Sequence, residues 1–426
     1  VVQATLPAGN GHEEKKEAST MPDRTLVFLE SSTSGHLFVQ AARRQGLRPI
    51  LVTSGSDRYR NLAGEAVDTV IADTVDIKEM ARVCDELQAQ APIAGILSTS
   101  GAYAAMAARL CHRLRLPGAD GQAIENCQNK FLQRGTFKNA GLLTPAYELV
   151  HNIPSAVEAA TRIGFPVIVK PVVGSGSTGV RLCLDGGDVG EQVAYLLSTD
   201  GGIARGVLIE EFIVGLEYSV ETVGDVVLGI TKKHLGELPY FVEVGHDFPA
   251  ALRRSDEVAI ADTVVSALNA LHLHWGPAHT ELRLDSRGPV IIEVNPRMGG
   301  DMIPELIRLA IGVDVISETI KLVTGARIDL TPQGHRSSSI RFLNPGAEGF
   351  VRWMSDLNVA RAIPSVSEVE LYVADGGEVR RYGDYRDRIG HVIVAGETPY
   401  QVETSLANVT AQLRYDIEAF PDRRDG

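Results

Sequence analysis

Within Glu281–Asp301, ELRLDSRGPVIIEVNPRMGGD, Glu281 is followed by Glu293 and Asn295, the last two spaced as on a strand. Residues two apart on a strand share a face. A chain reversal at Ser286-Arg-Gly-Pro289 would return Val290–Val294 alongside Glu281–Asp285 and bring Glu281 to that face. Two carboxylates and a carboxamide oxygen form a hard-oxygen set suited to Mg²⁺, which keeps positions open for phosphate oxygens. Arg297, two residues on, is a fixed cation suited to a phosphate. Taken alone, the stretch also reads as a hairpin with a salt-bridged arginine.

Cations recur upstream. Phe165–Pro171 (FPVIVKP) is an apolar strand whose Lys170 needs a counter-charge, because an unpaired buried ammonium is costly. Ser175, Gly176, Ser177, Thr178 and Gly179 follow within VVGSGSTGV, which can wrap backbone N–H groups around an anion or serve as a plain flexible turn. It is not a Walker A loop. Lys130 and Arg134 lie four apart on a helix, on one face that a solvated cationic surface would equally explain. Val207–Gly215 (VLIEEFIVG) runs as a strand into a turn, with backbone groups beside Phe212 and Ile213 free to pair with a purine and Glu217 placed for ribose hydroxyls. In FVEVGH, Glu243 alternates with Gly245 and His246 ends the run. His272, His274 and His279 cluster as zinc ligands do, but no thiolate accompanies them and the neighbouring donors are hard oxygens. Asp301 follows Gly299-Gly300 and has two readings: a partner for a substrate ammonium, or the N-cap of a helix over DMIPELI.

The elements that must position these residues can be read along the chain of 426 residues. Strand and helix patterns alternate from Thr25 to about residue 116, predicting a parallel sheet, with Ser31–Gly35 and Ser98–Gly101 as loops at its carboxyl edge. Leu116-Pro-Gly118 breaks that pattern, an amphipathic helix covers Glu257–His272, and strand-like runs return from Arg336 before a last helix over Gln401–Ile417. A composition of 44% hydrophobic and 22% charged residues is that of a globular protein, and a net charge of −13 argues against nucleic acid as a partner. No apolar run reaches the roughly 18–20 residues that cross a bilayer. Cys84, Cys111, Cys127 and Cys183 show no CxxC spacing, which suggests buried thiols in a reducing, cytoplasmic setting. The polar residues before Met21 lack a signal-peptide core and read as a disordered extension.

In their order and spacing these segments resemble the ATP-grasp superfamily of carboxylate–amine ligases. The resemblance rests on Lys130 before Gly141–Pro145, on Lys170 with the Gly174–Gly179 loop, on Glu210-Glu-Phe-Ile-Val-Gly-Leu-Glu217, and on Glu281 with Glu293, Asn295 and Arg297. NPRMGGDMIPEL and FVEVGHDFP look most like the L-amino-acid ligases that make dipeptides, of the bacilysin-synthetase type. The resemblance implies an α/β and α+β multidomain protein with an ATP-grasp fold. Its parts would be a Rossmann-like domain over 23–118, ATP-grasp subdomains over 119–206 and 207–330, and a small α+β domain over 331–426, after an extension over 1–22. It implies Lys130 and Lys170 on ATP phosphates under a lid at 175–179, and Glu210, Glu211, Phe212 and Ile213 around adenine, with Glu217 on ribose. Glu281, Glu293 and Asn295 would hold Mg²⁺ or Mn²⁺. Arg297 would steady the transferred phosphoryl group, and Glu243, His246, Gly299, Gly300 and Asp301 would line the site of the reacting carboxylate. The implied reaction joins a small-molecule carboxylate to an amine through an acyl phosphate in a homodimeric, cytoplasmic enzyme of specialised metabolism, with no nucleic-acid or membrane partner. A non-amino-acid carboxylate or an unusual amine is the alternative substrate, and a nucleotide-binding protein without turnover the alternative class.

Overall fold

The computed structural model describes residues 24–31, 35–55, 65, 67–174, 176–199 and 205–420. The N-terminal extension, Ser175 and residues 32–34 of the first loop lie outside them. Strands β1 (Thr25–Leu29), β2 (Arg48–Thr53), β3 (Asp68–Ile71) and β4 (Ile93–Leu97) form a parallel sheet in the order β3-β2-β1-β4. β1 and β4 are buried along their length, as strands covered on both faces must be. Helices Ile77–Gln90 and Ala104–Leu114 cover one face. Helices Gly35–Arg44 and Val315–Val323 cover the other, and helix Ile303–Ile311 joins that side to a larger core.

A small antiparallel sheet of β5 (Tyr147–Val150), β6 (Val167–Pro171), β7 (Arg181–Cys183) and β8 (Val207–Glu211) follows, ordered β5-β8-β6-β7 and backed by helices Ile153–Ile163 and Gly186–Ser198. The remaining strands are β9 (Leu216–Val223), β10 (Val226–Leu235), β11 (Glu243–Phe248), β12 (Pro277–Asp285), β13 (Gly288–Asn295), β14 (Ser337–Leu343), β15 (Gly349–Trp353), β16 (Val366–Leu371), β17 (Glu378–Val379), β18 (Gly390–Gly396) and β19 (Tyr415–Glu418). Eight of them make the central sheet, β13-β12-β9-β10-β11-β14-β18-β16, and β17-β15-β19 make a small one. The C-terminal strands therefore do not stand apart: β14 pairs with β11 and carries β18 and β16 onto the central sheet. No helix of the described residues is long and apolar enough to cross a membrane.

The β12–β13 hairpin is tighter than its sequence suggests, since Asp285 pairs with Gly288 and only Ser286 and Arg287 turn. Its register also shifts: Glu281 faces Glu293, whereas Leu282 faces Ile291. The residue skipped between them, Ile292, is a β-bulge. The bulge reverses the alternation, so Ile291 and Val294 both pack with Tyr218, Val220 and Leu282 on helix Arg254–Ala270. Glu293 and Asn295 then share the opposite face with Glu281. Across that face the pairing sets rows: Glu221–His279–Asn295, Ser219–Glu281–Glu293, and Glu217 beside Arg283. Across β9, β12 and β13, one side of the central sheet is apolar core and the other is a grid of charge.

Candidate active site

Asn129 caps helix Lys130–Asn139 by accepting from the Leu132 N–H, and the Lys130 N–H donates to the Val172 carbonyl at 3.0 Å. These bonds place Lys130 on the first turn, where its Nζ donates to the Gly174 carbonyl (2.7 Å) and to Glu293 (2.9 Å). One turn on, Arg134 is fully buried and grips Glu210 through two bonds (2.8 and 3.2 Å), with a third to the Ile292 carbonyl that the bulge releases. The solvated-face reading of this pair fails, because both cations are interior and committed. Lys170, at the end of β6, meets the other side of the Glu210 carboxylate at 2.6 Å. Burial lowers the Lys170 pKa, Glu210 opposes that, and the Arg134 and Lys130 cations add to it; the result is about 8. Glu210 is thus the counter-charge that the strand lysine requires. The Glu211 N–H is spent on the Ala146 carbonyl, and the Ile213 carbonyl accepts from Arg283. The Arg283 guanidinium lies over the rings of Phe212 and Phe241, 5.2 and 5.4 Å from their centroids, and also binds Glu217 at 2.9 Å.

On the charged face, buried Lys233 reaches Glu217 (3.0 Å), Glu243 (3.2 Å) and Glu281 (3.2 Å). Burial disfavours its charge, yet the three carboxylates outweigh it and hold the ammonium pKa well above its ordinary value. His279 is clamped by Glu221 through Nδ1 and by Glu281 through Nε2 (3.1 Å). Here too burial opposes protonation, and the two carboxylates push the imidazole up to about 9. This histidine does not join His272 and His274 in a metal cluster; it braces Glu281. Gly299 donates its N–H to Glu221 at 2.9 Å, and a Cβ there would lie 2.9 Å from both Glu221 Oε1 and His279 Nδ1.

Asp301 does not cap the following helix. Met302 occupies the cap position without a side-chain bond, and Asp301 and Met302 both take left-handed backbone, φ 53° and 61°. Such geometry costs on the order of 1–3 kcal/mol per non-glycine residue. It turns the Asp301 carboxylate toward His246 Nε2 (3.3 Å) and Arg388 (2.7 and 2.9 Å). His246 is buried, and its Nδ1 has no hydrogen-bond partner among the described residues. Arg297 spends one N–H on the Met298 carbonyl (2.8 Å) and otherwise faces the cavities.

Two cavities meet on this face. The first, about 100 Å³, is bounded by Lys130, Lys170, Glu210, Phe212, Ile213 and Glu293. The second, about 410 Å³, is bounded by His246, Trp275, Gly299, Gly300, Asp301 and the Ser98–Gly101 loop. Gly176, Glu243, Glu281 and Arg297 border both. Over them, Ser177 donates to the Phe241 carbonyl (2.9 Å) and Gln192 to the Gly179 carbonyl (2.8 Å), while Thr178 faces Asp384. The donors suit a hard divalent cation. Glu281 and Glu293 oppose each other with Asn295 one rung away, and their protein contacts use only Oε1 of each carboxylate. Among the described residues' contacts both Oε2 atoms remain for a metal, and all three donors are hard oxygens.

Sequence reasoning passed over Lys233, Arg283, Glu221 and Arg388. For the first three a signal exists: period-two alternation in β9, β10 and β12 sets them on the face of Glu217 and Glu281. Arg388 has no local signal, since its partners lie 87 and 145 residues away.

Comparison with known proteins agrees with this geometry. The ATP-grasp domain family matches residues 163–305, the ATP-grasp N-terminal domain residues 39–118, and L-amino acid ligase C-terminal domain 2 residues 341–418. The chain is 35% identical over 422 residues to the uncharacterized protein y4rH of Sinorhizobium fredii, covering 97% of this chain and 88% of that one. It is 29% identical over 439 residues to carnosine synthase 1 of Homo sapiens, covering 94% of this chain but only 52% of the synthase. The L-amino acid ligase from Bacillus licheniformis superposes with a TM-score of 0.79 at 23% identity, over 94% of this chain and all of the other. Phosphoribosylglycinamide synthetase from Anaerococcus prevotii does so with a TM-score of 0.70 at 18% identity, over 93% and 100%. At those identities the superpositions establish the fold.

Proposed function

The chain belongs to the ATP-grasp family of carboxylate–amine ligases, and on that footing we propose that it activates the carboxylate of an amino acid as an acyl phosphate and joins it to an amine. The products are an amide or peptide bond, ADP and phosphate. The observation that carries this reading is the shared border of the two cavities, where Arg297 and Glu281 touch both. A phosphoryl group leaving the smaller cavity would meet a carboxylate in the larger one at Arg297.

The residues then take the following roles. Lys130, Lys170 and the Gly176–Gly179 loop hold the triphosphate, with Ser175 assigned to the same loop. Phe212, Ile213 and the backbone of Glu210 and Glu211 flank the adenine, and Glu217 takes the ribose. Glu281, Glu293 and Asn295 hold Mg²⁺, or Mn²⁺ in its place, which when bound neutralises phosphate oxygens and aligns them for displacement. Two anions must approach for the carboxylate to attack, and Lys130, Lys170 and Arg297 offset their repulsion with groups already in place. His246 and Glu243 border the reacting carboxylate, with Gly299 and Gly300 lining the same cavity. Asp301, the carboxylate best exposed to the larger cavity, receives a substrate ammonium. The L-amino acid ligase C-terminal domain and the carnosine synthase relatives support an amino acid as one reactant. A homodimeric assembly and a place in specialised peptide metabolism belong to the same proposal.

ADP release with Mg²⁺-ATP over all pairs of common amino acids, with mass spectrometry of the products, tests the reading. One productive pair is expected, with ADP release lost in Glu293→Gln while ATP still binds. A wild type silent with every pair would contradict it, whether or not ATP binds.

A further inference from the structure

The side chain that fixes the far wall of the larger cavity comes from the C-terminal segment. Arg388 sits between the short turn Tyr385–Asp387 and β18. Two buried carboxylates build that turn: Asp384 accepts from the Arg386 N–H (3.0 Å), and Asp387 accepts from the N–H groups of Tyr382 (2.6 Å) and Gly383 (3.1 Å). The guanidinium so delivered is buried and makes four bonds. Two go to the Asp301 carboxylate (2.7 and 2.9 Å), one to the Glu243 carboxylate (3.0 Å) and one to the Glu243 carbonyl (3.1 Å). Its flat face rests on Phe342 in β14, 3.7 Å from the ring centroid. Only a planar fork can meet two carboxylates and an aromatic ring at once; a lysine in its place would keep the charge and lose the geometry.

We infer that Arg388 is a positioning residue of the carboxylate–amine half of the site: it holds Asp301 and Glu243 in the register that receives the substrate, although it belongs to the domain farthest along the chain from the nucleotide-binding residues. The inference rests on the ligase reading above. Three features single it out from a purely structural ion pair. Asp301 is held in a backbone conformation that glycine favours, directly after two glycines that border the cavity. Glu243 is shared between Arg388 and Lys233, so one guanidinium and one ammonium fix that carboxylate from opposite ends. The same Asp301 carboxylate lies 3.3 Å from Nε2 of His246, so Arg388 and a cavity-lining histidine hold it together.

The test compares wild type, Arg388→Lys and Arg388→Ala as full chains, with separate titrations of ATP and of the productive amino-acid pair. Arg388→Ala is expected to raise the KM of an amino-acid substrate roughly tenfold or more, as loss of a charge-assisted bidentate contact does. The KM for ATP should stay within about twofold. Millimolar guanidinium should recover part of the loss in Arg388→Ala, and Arg388→Lys should fall between the two. Unchanged amino-acid kinetics in Arg388→Ala would overturn the inference. So would a parallel loss of ATP and amino-acid binding that guanidinium does not relieve, since that is the behaviour of a residue serving stability alone. A wild type that binds ATP but is silent with every pair overturns the ligase reading and this inference with it, and the wild-type rate tells the two failures apart.

Discussion

At the scale of single residues the site is a problem in burying charge without orphaning it. An unpaired interior ion costs several kcal/mol, so each is met: Lys170 and Arg134 by Glu210, Lys130 by Glu293, Lys233 by three glutamates. Lys170 sits closest to balance, since burial and two neighbouring cations bring it to about 8. A lysine so lowered is charged below that pH and neutral above it, and only the charged form attracts a polyanion. ATP affinity is therefore expected to fall as pH rises through about 8, and Lys170→Arg, which stays charged, to flatten that dependence. Titration of ATP binding between pH 6.5 and 9.5 checks this; parallel profiles in the two proteins would contradict it. At this scale the sequence was most informative, because Lys130, Lys170, Glu281, Glu293, Asn295 and Arg297 declare themselves by type and spacing. What spacing could not tell was which carboxylate answers which cation. Glu210 looks like a nucleotide contact in sequence, and in the fold its side chain is the counter-ion of Lys170 and Arg134.

At the scale of elements the β12–β13 hairpin sets the geometry, and its decisive feature is the bulge at Ile292. Strict alternation would put Ile291 and Glu293 on one face; the extra residue sends Ile291 to the core and Glu293 to the charge grid, and frees a carbonyl for Arg134. Nothing in GPVIIEVN announces a bulge, since Ile291 and Ile292 are interchangeable by residue type. The loop after the hairpin is as tightly specified. A methyl group on Gly299 would push into the Glu221–His279 pair, whereas a Cβ on Gly300 meets nothing within 4 Å. Gly299→Ala should destabilise the protein by roughly 1–3 kcal/mol through overpacking. Gly300→Ala should leave the thermal midpoint unchanged. Equal midpoints for the two variants would show that the clamp yields more readily than its contacts suggest. Of the two readings of Asp301, the N-cap fails for a related reason: Asp is a strong N-cap by preference, but here tertiary ion pairs claim its carboxylate first.

At the scale of the whole molecule, three layers of chain distant in sequence close around one face of one sheet. The N-terminal parallel sheet supplies the Ser98–Gly101 loop, the small antiparallel sheet supplies Lys170 and the Gly176–Gly179 loop, and the C-terminal strands supply Arg388. The first was legible because parallel strands alternate with helices at regular intervals. The last was not, because β14 joins β11 across almost ninety residues and no local pattern records which edge a strand will find. The central proposal is that a substrate carboxylate takes a phosphoryl group at Arg297 before an amine displaces it. An amino-acid substrate labelled with ¹⁸O in its carboxylate tests this directly, by mass analysis of the phosphate released. Transfer of one labelled oxygen into inorganic phosphate, dependent on the amine for full turnover, is the predicted result. Release of unlabelled phosphate alongside a coupled product would contradict it.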